Sequence, residues 1–458
     1  MKLSSYRLAL IVVGATLCGS AAWAASENYV AHEWGTFTSV QGADGVALEW
    51  NPLTTAELPD FVYDQMHPYG PPGRQLTAFL GKSIFRTLQR METPVIYFYS
   101  DRERKVDVTV KFPEGLVTEW YPQVHDIGPS SVRPRPSLTA IDDAVEKVGL
   151  PIHLSSLDTK KSISESMIRW SGVRIEPGGQ ESVAKASLPQ EKSGSHYYAA
   201  RETDANIIQV KSNVGNHQAT EHEKFLFYRG IGNFKTPLLV TVSGDADQFI
   251  KLQNVGAERL DHLFLVVVQK GLGKFFPVKQ LAAQADETFQ IDPRQKTLGQ
   301  LQLEEQLGGA LERGLVAEGL YQPEAAAMVK TWRDSWLKEE GVRVLYLLPR
   351  AWTDRTLPLN ITPAPEKLVR VMMGRAEVLT PKMEWNLLKG VVHYSDATPA
   401  TKQSIIEEIH ELGLGRFSEP ALRRVLGRNP STEFSQAGWE LIAAASKARA
   451  KDNALVQK

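Results

Sequence analysis

Cysteine is nearly absent: the 458-residue chain carries one, Cys18, inside its first two dozen residues. A lone thiol excludes a disulfide framework, a multi-cysteine zinc or iron-sulfur site and covalent haem attachment. Long apolar runs are missing too. The longest, residues 8–18, is interrupted at Gly14 and broken by Gly19 and Ser20, short of the roughly 18 apolar residues that a membrane-crossing helix needs. Segments such as 263–268 reach only strand length. Neither charge sign is in surplus, since 52 Lys and Arg face 53 Asp and Glu for a formal net charge of −1. A binder of the nucleic-acid backbone concentrates Lys and Arg on one face, so no nucleic-acid partner is expected.

Several catalytic and cofactor signatures are also lacking. Gly230-Ile231-Gly232, Gly271-Leu272-Gly273 and Gly413-Leu414-Gly415 each lack the third glycine of a dinucleotide loop, and no Gly-Lys-Ser/Thr phosphate loop exists. There is no Gly-x-Ser-x-Gly nucleophile elbow. Ser182-Val183-Ala184-Lys185 matches Ser-x-x-Lys but lacks its companion motifs. No nucleotide or haem cofactor is therefore expected.

What is present begins with a leader pattern. Lys2 and Arg7 precede the apolar run, and Ala22-Trp23-Ala24 has the small-x-small form that a signal peptidase cleaves. Residues 1–24 read as a bacterial signal peptide, and the product as a soluble, cysteine-free chain, periplasmic or secreted, with no transmembrane segment. Leu17 stands where a lipid-anchored Cys18 would need a small residue.

The rest predicts an α+β fold: a β-rich, sandwich-like body over 25–292, a mixed α/β segment over 293–381 and a small helical tail over 382–458. Residues 91–99 and 106–110 read as a hairpin about the polar turn 101–105, and 36–40 with 46–50 as a second about Gly42 and Gly45. Further strands are expected at 167–175, 207–210, 224–228, 238–242, 249–252 and 263–268. The spacing of Leu76, Leu80, Ile84 and Leu88 predicts a helix over 76–90. Residues 127–137 and 177–195, rich in Pro, Ser and charge, predict long surface loops.

Leu303, Leu307 and Leu311 mark a helix ending near Gly314 or Gly319. Pro323 opens another, on which Trp332 and Trp336 share a face, as an aromatic core stripe or a clamp for a flat ligand. Residues 342–348, 357–361 and 368–373 read as strands that extend the first sheet or form a separate unit. In the tail, Thr398-Pro399, Ser418 and Thr432 open three amphipathic helices.

Glu-Trp recurs at Glu33-Trp34, Glu49-Trp50, Glu119-Trp120 and Glu384-Trp385. On a strand, neighbours face opposite sides, so each pair should bury an indole and offer a carboxylate to the other face. Should those carboxylates converge, Glu33, Glu49 and Glu119 are candidate catalytic groups for glycoside hydrolysis, with Trp34, Trp50 and Trp120 as ligand-binding rings. Otherwise the tryptophans anchor the core and the glutamates are solvated. Ser195-His196-Tyr197-Tyr198 followed by Arg201 resembles a binding rim, which nominates His196, Tyr197 and Arg201 as ligand-binding, although an edge strand gives the same pattern. A divalent metal would fall to histidine, and His217 with His222 is the closest grouping, without metalloprotease spacing. Arg370 and Arg375 suit an anionic ligand or acids on a neighbouring strand. The pattern favours an exported, non-catalytic binding or scaffold protein whose partner is a glycan or another envelope component. The other reading is a hydrolase of an envelope polymer that uses the Glu-Trp carboxylates.

Overall fold

The computed structural model describes residues 29–52, 58–65, 86–128, 165–177, 187–190, 195–214, 217–244, 248–292, 294, 296–428 and 436–444. The leader, residues 76–85 of the expected helix, and most of the loops at 127–137 and 177–195 lie outside them. So do the two ends of the helix expected after Thr432.

The fold is α+β, a β-rich body with helices concentrated towards the C-terminus. In chain order the body contains β1 (Tyr29–Gln41), β2 (Tyr63–Asp64), β3 (Gln89–Ser100), β4 (Arg104–Phe112), β5 (Gly115–Tyr121), β6 (Asp126–Ile127) and β7 (Ser166–Ile175). After a 3-10 turn (His196–Arg201) come β8 (Ile208–Val214), β9 (His217–Glu223), β10 (Leu226–Gly232), β11 (Leu238–Ser243) and β12 (Gln248–Asn254). They are followed by β13 (Leu260–Gln269), β14 (Leu272–Leu281), β15 (Asp286–Ile291) and β16 (Leu298–Gly299). Helices α1 (Gln300–Ala317) and α2 (Gln322–Arg333) lead through a π turn (Asp334–Lys338) into β17 (Gly341–Leu348). Then come α3 (Arg350–Thr356), β18 (Leu359–Thr362) and β19 (Lys367–Val378). The tail is α4 (Pro381–Tyr394), α5 (Pro399–His410), a 3-10 turn (Gly415–Phe417) and α6 (Ser418–Arg428).

A ten-stranded sheet runs in the order β16-β14-β13-β17-β19-β1-β3-β10-β5-β2. A six-stranded sheet takes β18-β4-β7-β8-β9 with β6 beside β7, and a three-stranded sheet takes β11-β12-β15. β17 and β19 thus extend the first sheet. β19 is parallel to β1, with Glu33 opposite Arg370 and Thr38 opposite Arg375.

The expected hairpin of 91–99 with 106–110 does not form. β3 pairs with β1 and β10, whereas β4 pairs with β7 and β18 in the other sheet. The burial of each strand explains the parting. β3 is buried on both faces and lies inside the large sheet, while β4 alternates between buried and exposed positions as a strand with one wet face does. The reversal after β1 is present: Gly42 donates to Val46 O at 2.9 Å, and Gly45 takes φ 80°. Its second arm is reduced to bridges of Ala47 to Gln41 and Trp50 to Thr87. Residues 89–90, expected to end a helix, open β3. Residues 350–356, between the strands expected at 342–348 and 357–361, form α3, and 381–394 forms α4, the first helix of the expected helical tail, with Thr380 accepting from the Met383 amide.

Leu303, Leu307, Leu311 and Leu315 bury one stripe of α1. α2 is fixed by Glu324, which accepts from the Tyr321 amide at 2.8 Å and from His32 of β1 at 2.6 Å. Trp332 and Trp336 stack at 6.3 Å and are buried, as an aromatic core stripe. The tail closes over the end of β1, where Val40, Leu48 and Trp50 share a core with Leu379, Leu387 and Phe417.

Three register shifts fall close together in the large sheet. They lie between Trp34 and Thr36 for β1 and β3, between Phe227 and Gly230 for β10 and β3, and between Arg229 and Gly230 for β10 and β5. A Cβ on Gly35 would stand 2.9 Å from the Pro94 Cα and 3.1 Å from the Met372 sulfur. Gly35→Ala is therefore expected to lower stability by about 1 to 3 kcal/mol by overpacking. An unchanged urea midpoint would show that the strands do not approach so closely.

Candidate functional site

The four Glu-Trp pairs go to different surroundings. Across β1 and β19, Arg370 Nε donates to Glu33 Oε2 at 2.5 Å, its Nη1 to Asp354 at 2.7 Å and its Nη2 to the Leu357 carbonyl at 2.7 Å. The Tyr228 hydroxyl donates to the other oxygen of Glu33. Burial, and next the Glu33 charge, hold that phenol well above its ordinary pKa. Both oxygens of Glu33 are thus taken, and Glu33 and Trp34 are both fully buried because the sheet is covered on both faces.

Glu119 lies opposite Arg229 across β5 and β10 and accepts from the Thr118 hydroxyl. Tyr228 and Arg229 are successive on β10, so Glu33 and Glu119 lie on opposite faces of the sheet. Glu384 sits on α4, not a strand. It receives Arg424 at 2.7 Å, Arg428 at 2.7 Å and the Ala43 amide at 3.0 Å, while its neighbour Trp385 is 55% exposed. Glu49-Trp50 alone has the expected arrangement, Glu49 exposed and Trp50 buried. Trp120 is buried and donates to Gln123 at 2.7 Å. The carboxylates are therefore not gathered: Glu33 is held by Arg370, Glu384 by Arg424 and Arg428, and Glu119 lies on the sheet face away from Glu33.

The rim at residues 195–204 is a packing corner. Tyr197 is buried and its hydroxyl donates to Glu223 at 3.0 Å. Arg201 forks onto the same carboxylate, its closest contact 2.6 Å, and its guanidinium lies 5.0 Å from the Tyr198 ring centre. The His196 ring packs 5.2 Å from Trp332 of α2. His222 meets the Gln209 side chain at 3.0 Å, and His217 joins the ladder opposite Val214, its side chain lying outside the description. Among the described residues no group of three or more His, Cys, Asp or Glu could hold a metal ion.

A different cluster occupies the sheet face under the tail. Thr38 of β1 stands between Arg90 of β3 and Arg375 of β19, and Thr36 stands opposite Glu92. The turn after α5 adds Arg416, whose Nη1 donates to Glu92 at 2.9 Å. Arg375 Nη2 donates to Glu339 at 2.5 Å and to Glu377 at 2.8 Å, and Arg343 Nε meets Glu377 at 3.2 Å. The Arg375 and Arg416 guanidiniums lie 5.6 and 5.1 Å from the Phe417 ring centre, so both pack against that ring.

Electrostatics show how tightly these groups are coupled. Burial raises the Glu92 carboxyl, but Arg416, Arg90 and Arg229 outweigh it and hold it far below the usual carboxylate range. Arg90 is pushed down to about 9 by burial and by Arg229. The layer also lies beside the register shifts, where Thr93, a β-branched residue, takes φ 43°. Bulges and strained backbone together are common at functional sites.

Of this layer, the sequence alone nominates Arg375 and Glu119. The available signal was a charge inside an apolar strand run, as in Val342-Arg343-Val344 or Arg90-Met91-Glu92. Such a charge is buried once both faces of the sheet are covered.

No family model and no curated protein matches the chain. Among solved structures it is similar to the yeast delta-COP-I mu-homology domain complexed with a Dsl1 WxWxV peptide, at 8% identity and TM-score 0.27 over 77% of this chain and 98% of that one. The same yeast domain without that peptide gives 9% identity and TM-score 0.26 over 77% and 98%. Red sea bream transglutaminase gives 8% and 0.13 over 63% and 29%. Likenesses this weak assign neither fold nor function.

Proposed function

We propose that the chain is an exported protein that binds a component of the bacterial cell envelope, in the periplasm or outside the cell, as a scaffold without catalysis. The observation that carries the reading is the dispersal of the Glu-Trp carboxylates: Glu33 is held by Arg370, Glu384 by Arg424 and Arg428, and Glu119 lies on the sheet face away from Glu33. An acid and a base for glycosyl transfer need two carboxyl groups facing one bond, one of them able to hold a proton. Here the carboxylates are spread over two sheet faces and a helix. Support for export comes from the leader pattern of residues 1–24. No helix among the described residues is long and apolar enough to cross a membrane.

The test is to express the tagged chain in a bacterium, fractionate by osmotic shock and mix the purified product with isolated peptidoglycan sacculi. Release in the shock fluid with a mass beginning near Ala25, co-sedimentation with sacculi and no soluble sugar fragments is the expected result. Cytosolic retention with Met1 attached would overturn the location. Fragment release that disappears in Glu33→Gln would replace the scaffold by the hydrolase.

A further inference from the structure

We infer that the arginine layer beneath the C-terminal tail is a binding site for a small phosphoryl-type oxyanion. Three elements direct N–H donors into it that no protein group accepts: Arg229 Nε from β10, Arg375 Nη1 from β19, and Arg416 Nε and Nη2 from the turn Gly415–Phe417. Arg229 and Arg375 are 3% and 1% exposed, so bulk water does not serve them. The Thr36 and Thr38 hydroxyls, buried on the same sheet face, also lack a partner. Buried donors are nearly always satisfied, and each one left bare is costly. Here four guanidinium nitrogens and two hydroxyls without an acceptor or donor partner lie together at one sheet face.

Charge points to an anion as the missing acceptor. Among the described residues, the guanidiniums of Arg90, Arg229, Arg343, Arg375 and Arg416 meet the carboxylates of Glu92, Glu119, Glu339 and Glu377, which leaves positive charge in surplus. Water could accept these hydrogen bonds but would leave that surplus uncompensated. Direction narrows the class further. Arginine forks suit carboxylate and phosphate alike, yet donors arriving from two strands and a turn suit oxygens pointing several ways, as on phosphate, better than a planar carboxylate. Access is from the tail side, where Arg416 is the member of the set that reaches solvent, its side chain 11% exposed. The inference does not depend on where the chain resides.

The experiment follows thermal unfolding of the purified full chain in phosphate or glycerol phosphate, against chloride at equal ionic strength. Phosphate at about a hundred times its Kd should raise Tm by about 3 °C. The response should vanish in Arg416→Gln and persist in Arg259→Gln, whose side chain is exposed and pairs with Asp261. Should Arg416→Gln fold poorly, Arg416→Lys keeps the charge and loses the fork, and a Kd more than tenfold weaker is expected. A free anion as ligand is indicated by a response to inorganic phosphate alone, and a phosphorylated polymer or headgroup by a stronger response to glycerol phosphate. Equal Tm in phosphate and chloride, or an undiminished response in both Arg416 variants, overturns the inference.

Discussion

Arg370→Met is expected to destabilise the protein by about 3 to 5 kcal/mol, because it leaves a buried carboxylate without its cation. Glu33 would keep only the Tyr228 hydroxyl, with no water to replace the guanidinium. The reciprocal change, Glu33→Leu, should cost less. Arg370 would still reach Asp354 at 2.7 Å and the Leu357 carbonyl at 2.7 Å, and Asp354 is partly in solvent. The double variant Glu33→Leu, Arg370→Met removes both charges and should recover most of the loss, because a buried ion pair exchanged for apolar groups of similar volume is often close to neutral. Urea unfolding of the four proteins gives the coupling directly. If the double variant is as unstable as the sum of the singles, the pair is not buried as a unit.

Glu92→Gln should cost about 3 kcal/mol at neutral pH, since it withdraws the anion at the centre of several buried guanidiniums. Its pH dependence has a definite sign. The folded-state carboxyl titrates well below the unfolded value of about 4.3, so the native state favours the ionised form. The Glu92 contribution is therefore complete above that unfolded value and is lost as the pH falls below it towards the folded-state value. The stability gap between wild type and Glu92→Gln should be constant from pH 7 to about 5 and narrow on further acidification. A gap unaltered down to pH 3 would mean that Glu92 is not ionised in the native protein, and one that widened would reverse the sign.

Much of the local structure was legible because single elements obey short-range rules. The segments expected as strands at 167–175, 238–242 and 263–268 are strands, and the leucines of 303–311 line a helix. Pairing was less legible. The polar turn at 101–105 suggested a hairpin, but β3, apolar on both faces, needed two neighbours inside a covered sheet and took β1 and β10. Glu384-Trp385 was treated as a strand dipeptide although Thr380-Pro381 just before it is a good helix start, with a capping hydroxyl and a first-turn proline. The site was the least legible of all. Glu33 and Arg370 are 337 residues apart and Glu92 and Arg416 are 324 apart, so neither pair has a local signature. What could be read was that Arg370 and Arg375 would meet either an anion or acids on a neighbouring strand. Arg370 meets Glu33 on the neighbouring strand, whereas Arg375 pairs with Glu377 on its own strand and with Glu339 outside the sheet.

The position of β19 governs how the protein can be made. It is the last strand in chain order among the described residues, yet it lies between β17 and β1 in the middle of the ten-stranded sheet. During vectorial synthesis, β1 and β3 emerge early, and one edge of β1 must wait, unzipped, until Val378 has left the ribosome. Until then the nascent polypeptide is two half-sheets with bare margins, each able to recruit a stranger. Such a chain completes its sheet late and nearly all at once, so a ribosome that stalls before β19 releases a sticky fragment rather than a smaller working protein.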